Sequence, residues 1–79
     1  MKPITSKQFE VLEAISAHQH TTGLSPTMQE LGGKLGVNRV TIYGHVQPLL
    51  EKGFLENLQP GASRGLDITK EGNLLLNRQ

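Results

Sequence analysis

The stretch from Pro26 to Val46 constrains this chain more than any other, because it reads as two helices joined by a single tight turn. Gly36 marks the turn, since glycine adopts at no steric cost the left-handed conformation that ends many helices. Gly32 lies four residues earlier, where two helices so closely joined need a small residue. Asn38, just past the turn, is a good N-cap for the helix that follows. Before the pair, Pro26 holds Ser25 extended. Thr27 then caps the first helix of the pair, with Glu30 at the reciprocal capping position. Met28, Leu31 and Leu35 supply its buried stripe, although Gly32 and Gly33 each cost about 1 kcal/mol against Ala in a helix. Such a pair is a helix-turn-helix, whose second helix suits the DNA major groove.

The second helix of the pair has two unlike faces. Ile42, Val46, Leu49 and Leu50 recur at the spacing of a buried stripe. The opposite face carries Val40, Thr41, Gly44 and Gln47, flanked by Arg39 and Tyr43. A helix with no use for its outer face would carry charges there; this face is short or hydrogen-bonding. Pro48 removes a backbone bond and crowds the Gly44 carbonyl, which predicts a bend. Gly53 ends the helix.

The flanks complete a small domain. Thr5 and Gln8 form a capping-box pattern, with Ile4 placed to staple onto the helix they open. Val11, Leu12, Ala14 and Ile15 share its inner face, Phe9 lies at the edge, and the helix is expected to end near His20. Phe54–Leu58 and Gly65–Thr69 read as two strands around the turn-rich segment Gln59 to Arg64. A hairpin after the groove-facing helix is a wing, with Arg64 placed to reach a phosphate or the minor groove. Lys70 to Asn77, with Leu74, Leu75 and Leu76, is a short fourth helix or a tail packing on the first. The fold class is thus mainly α with a small β-hairpin: a winged helix-turn-helix of three core helices plus wing over residues 1–69, with residues 70–79 as the C-terminal helix or tail.

Composition narrows the functions. A chain of 79 residues buries only about 60% of its unfolded surface, so most of its aliphatic side chains are needed for one core. It has no cysteine, hence no disulfide framework or thiolate metal site. No apolar run approaches a membrane helix, and no signal-peptide core opens the chain. The net charge is only +1, but no Asp or Glu occurs between Leu31 and Leu50, where Lys34, Arg39 and His45 lie. Local positive potential of this kind attracts a phosphate backbone. His18 and His20 fall on different helix faces and His45 is alone, so converging metal ligands are not expected. The serines lack histidine and acid partners, and Gly32-Gly33 sits within a helix rather than after a strand. Neither an enzyme, nor a cofactor, nor a small-molecule substrate is expected.

The chain resembles the DNA-binding domain of the LexA repressor family over roughly residues 1 to 68. The resemblance rests on Thr5 to Ile15, Thr22-Gly23-Leu24-Ser25-Pro26-Thr27, Glu30-Leu31, Lys34-Leu35-Gly36, Gly44-His45-Val46, Lys52-Gly53 and, most tellingly, Gly61-Ala62-Ser63-Arg64-Gly65. It implies a winged helix-turn-helix that recognises operator DNA and represses transcription, typically of damage-response genes, in a bacterial or phage cytoplasm at the nucleoid. By position it implies Asn38, Arg39, Val40, Thr41 and Tyr43 as recognition residues, and phosphate contacts near Lys34, His45, Lys52, Ser63 and Arg64. The base-reading residues differ from those of familiar repressors, so no operator carries over. The family's second domain, which dimerises and cleaves itself, does not follow before Gln79. Thr69-Lys70-Glu71-Gly72 with its leucines looks like the helix that follows the wing in other winged-helix regulators. The alternatives are an excised fragment of a longer repressor and a self-contained small protein, and the latter is the expectation.

Thr27, Gly44 and Gln47 join these as candidate DNA-contacting residues. Arg39 is the favoured base reader, because bidentate Arg to guanine is the commonest specific contact. Asn38 is first a cap, and Tyr43 packs on sugar-phosphate or thymine methyls, or is an edge residue of the core. The competing function is a winged-helix protein-interaction module without specific DNA binding. One domain contacts few bases, so a homodimer on a palindromic operator is the natural partner arrangement, with Leu74, Leu75 and Leu76 as its candidate surface.

Overall fold

The computed structural model describes residues 4–58 and 64–77. Its elements in chain order are α1 (Ser6–Thr22), α2 (Met28–Leu35), α3 (Arg39–Glu51), β1 (Leu55–Asn57), β2 (Leu66–Ile68) and α4 (Lys70–Asn77). The three-helix core and the hairpin are those expected; of the helix and the tail left open for Lys70 to Asn77, the chain forms the helix.

Each of the four described helices starts on a side-chain cap. Thr5 and Thr27 sit in extended backbone and form full capping boxes with Gln8 and Glu30. Asn38 accepts from the Thr41 amide at 2.8 Å. Thr69 accepts from the Gly72 amide at 3.1 Å. Each cap satisfies an amide that the helix cannot. α1 runs two residues past the expected end at His20. The Thr22 hydroxyl donates back to the His18 carbonyl at 2.9 Å, and Gly23, at φ 78°, closes the last turn onto Gln19. The threonines are accommodated within that turn, and the glycine after them ends it. α3 continues through Pro48 to Glu51, followed by Gly53 at φ 83°.

The glycine pattern of the helix pair is steric. Gly36 has φ 73°. A Cβ on Gly32 would lie 2.7 Å from the Val37 carbonyl oxygen, so the chain entering α3 rests directly on α2. The core beneath is formed by Val11, Leu12 and Ile15 of α1, Leu31 of α2, Ile42, Val46 and Leu49 of α3, and Phe54, Leu55, Leu66 and Ile68 around the hairpin. Met28, Leu35, Leu50, Leu75 and Leu76 pack on it part-buried. Burying a side chain of this size contributes about 1.5–3 kcal/mol.

The hairpin is antiparallel, pairing Leu55 with Ile68, Glu56 with Asp67 and Asn57 with Leu66. Both strands are one residue shorter at each end than their expected spans. Backbone bonds from Leu58 to Gly65 and from Thr69 to Phe54 carry the pairing outward. No described helix is long and apolar enough to cross a membrane.

Candidate nucleic-acid interface

The two faces of α3 separate as its periodicity predicts. Ile42, Val46 and Leu49 are at most 1% exposed, whereas Val40 is 82% and Tyr43 56% exposed. Thr41, Gly44 and Gln47 are exposed with them. Positions 40, 43, 44 and 47 follow the i, i+3, i+4, i+7 spacing of one helical stripe. An apolar side chain as exposed as Val40 at the start of this stripe suits the methyl groups that thymines present in a major groove. Nothing lies within 4 Å of a Cβ built on Gly44, so α3 offers bare backbone at mid-length.

Basic side chains lie on the same pair of helices. Arg39 and Lys34 are exposed, and His45 is half-buried. Asn38 uses its Oδ1 for the cap, which leaves the amide nitrogen as the donor it can present outward. Thr27 is likewise a cap: its hydroxyl accepts from the Glu30 amide at 3.1 Å and its own amide donates to Glu30 Oε1 at 3.0 Å. Lys52 Nζ donates to Gln8 Oε1 at 2.8 Å, so its ammonium ties the end of α3 to the start of α1.

Arg64, expected at the base or tip of the wing, stands at the base of the hairpin and has partners within the chain. Its guanidinium grips Glu30 with both forks, Nη1 to Oε1 at 2.8 Å and Nη2 to Oε2 at 2.9 Å, and Nη1 also donates to the Ser25 carbonyl at 2.9 Å. The fork bonds of Arg64 first, and then the Thr27 amide, hold the Glu30 carboxyl down to about 2 from an ordinary 4.5, and Arg64 is in turn held more firmly charged. His18 Nε2 stands 3.8 Å from Glu30 Oε1, an ion pair only when protonated. Beside this cluster the Ser25 hydroxyl donates to the Leu66 carbonyl. Gln19 Nε2 donates to both Ser25 Oγ and Asp67 Oδ1 at 3.1 Å. The connector before α2 is therefore joined to the base of the hairpin, an arrangement that local sequence patterns did not signal. Ser63 lies outside the described residues.

A family model described as the LexA DNA binding domain matches residues 1–65. The chain is 42% identical over 72 residues to a LexA repressor of Aeromonas hydrophila, covering 90% of this chain and 34% of that protein. It is 41% identical over 70 residues to LexA repressor 2 of Geobacter sulfurreducens, covering 87% of this chain and 34% of that one. Among solved structures it is similar to a transcriptional regulator from Thermotoga maritima, with a TM-score of 0.73 and 29% identity over 95% of this chain and 50% of the other. The chain thus spans about a third of the length of the curated relatives it matches.

Proposed function

The chain belongs to the LexA DNA-binding domain family, and from that premise we propose that it binds double-stranded DNA at specific sequences and represses transcription. The observation that carries this reading is the acid-free outer stripe of α3, with Val40, Tyr43 and Gln47 exposed opposite the buried Ile42, Val46 and Leu49. In this reading α3 lies in the major groove. Arg39 reads a base, Val40, Thr41, Tyr43 and Gln47 line the groove floor, and Gly44 permits close approach of the backbone. Thr27, Lys34, Asn38, His45 and Lys52 lie toward the phosphates, which position the domain without reading sequence, and the family resemblance adds Ser63 to the same role. The site of action is chromosomal or phage DNA in the cytoplasm.

One such surface reads few base pairs, so two copies on a palindromic operator are the expected assembly, with half-sites spaced by the protein's own two-fold geometry. Of the three terminal leucines, Leu75 and Leu76 pack on the core while Leu74 is 50% exposed. Leu74→Glu is therefore the substitution that probes pairing, because Leu75→Glu damages the fold as well.

The test is selection from a randomised duplex library at two salt concentrations, with sequencing of the bound fraction, for the wild type and Arg39→Ala. The expected result is an enriched motif that Arg39→Ala relaxes at one position at a cost of about 1–3 kcal/mol, with affinity falling as salt rises. No enrichment and no salt-dependent binding would leave a protein-interaction module as the better account.

A further inference from the structure

We propose that Arg64 acts in DNA binding as a positioning residue, through its two-pronged pair with Glu30 and its bond to the Ser25 carbonyl, rather than as a phosphate contact. The proposal rests on the DNA-binding reading above and goes beyond it, because it assigns an acidic residue, Glu30, a favourable role in binding a polyanion.

The geometry carries the assignment. All three Arg64 bonds are 2.8–2.9 Å long, and a guanidinium fork matched to both oxygens of one carboxylate is the most directional ion pair available to proteins. The partners lie on different elements. Glu30 is in the first turn of α2, and Arg64 stands two residues before β2 at the base of the hairpin. The Ser25–Leu66 and Gln19–Asp67 bonds continue the same junction. Together they set the position of the returning arm of the hairpin against the first helix of the helix-turn-helix. Glu30 also serves the Thr27 cap, so the residue that fixes where α2 begins also fixes where the hairpin base sits. Three of the five guanidinium N–H donors are committed in this way, and to turn its fork toward a phosphate the side chain would have to break two charge-assisted bonds.

The two roles give opposite signs. Removing an acid from a protein that binds DNA ordinarily tightens binding, because it removes repulsion of the phosphates. If Glu30 positions the hairpin, Glu30→Gln weakens binding instead. Glutamine is the right replacement because it keeps the capping box while removing the carboxylate that the Arg64 fork requires. The segment from Gln59 to Ser63 contains no Lys or Arg, so displacing the hairpin removes no other cation from the count of neutralised phosphates.

The experiment measures affinity for the selected operator against salt for wild type, Glu30→Gln, Arg64→Gln, Arg64→Lys and the double Glu30→Gln/Arg64→Gln, with thermal unfolding of each to establish that it is folded. Both single Gln variants are expected to lose about five- to fiftyfold in affinity, with the double variant no worse than either, as for two residues acting as one unit. The salt slope is unchanged in Arg64→Gln, and Arg64→Lys fails to restore binding because an ammonium cannot make the fork. Lys34→Gln, the comparison, lowers the slope by about 0.9 as a true phosphate contact does. The proposal is overturned if Glu30→Gln binds as well as or better than wild type, if Arg64→Gln lowers the slope like Lys34→Gln, or if Arg64→Lys binds normally. A wild-type chain that selects no DNA overturns the DNA-binding reading and this proposal with it, whereas the other failures overturn this proposal alone.

Discussion

Gly32 and Gly33 are chemically identical neighbours in one helix, and the fold treats them oppositely. A methyl on Gly32 meets the Val37 carbonyl oxygen at 2.7 Å, whereas one on Gly33 meets nothing within 4 Å. The Val37 oxygen is backbone in the turn itself and has no rotamer to escape into. Gly32→Ala gains helix propensity of about 1 kcal/mol but incurs an overpacking cost of about 1–3 kcal/mol. We expect it to lower stability, and Gly33→Ala to raise stability by up to about 1 kcal/mol. Denaturant midpoints of the two variants at equal m-values check this, and a stabilised Gly32→Ala would show that the helices can separate freely. The need for a small residue at 32 was legible in the sequence, because it follows from spacing to the turn glycine. That Gly33 is dispensable was not, because its environment depends on what folds back from elsewhere.

At the scale of elements, the helix starts were legible and the helix ends less so. A cap is a short-range bond between residues three apart, so Thr5, Thr27 and Asn38 announced their helices directly. The end of α1 depended instead on whether Thr21 and Thr22 would be drawn into a turn closed by Gly23. α4 shows a third case, a helix whose existence was left open because its docking is tertiary. Its Thr69 cap also donates to the Gly53 carbonyl at 2.5 Å. Gly72 sits where a Cβ would lie 2.7 Å from Ile68 Cγ2 and still nearer the Phe54 carbonyl. Thr69→Ala is expected to cost about 1–2 kcal/mol. Gly72→Ala should lift α4 from the hairpin despite its better helix propensity, at a net cost of about 1–2 kcal/mol. Hydrogen exchange is the direct check. In Gly72→Ala, amides of α4 should exchange faster while those at Leu12 and Ile15 keep their protection; unchanged α4 protection would refute the close-docking account.

At the scale of the whole molecule, the exposed face of α3 and the junction between α2 and the hairpin were unequally visible. The face belongs to one helix, so its periodicity showed in consecutive residues. The junction joins Glu30 to Arg64 across 34 positions and Gln19 to Asp67 across 48, and no local pattern reports such a pairing. It leaves a mark in acid. The Glu30 carboxyl is held at about 2 in the folded chain against an ordinary 4.5, first by the Arg64 fork and then by the Thr27 amide. A depressed carboxylate contributes its full stability above the unfolded value and loses it as pH falls through the folded one. Wild type should therefore exceed Glu30→Gln in stability by a constant margin above pH 4.5, and the margin should close as the pH is lowered toward 2. Arg64 stays charged throughout this range, and His18 is the other titratable group facing the carboxyl; repeating the series in a His18→Gln background isolates Glu30. Because the Arg64 and Glu30 side chains keep 40% and 41% of their surface in solvent, the margin should shrink in high salt. A margin that persists unchanged at the acid end would mean that the carboxylate charge does not hold the junction, and that the neutral hydrogen bonds of Ser25 and Gln19 suffice to place the hairpin.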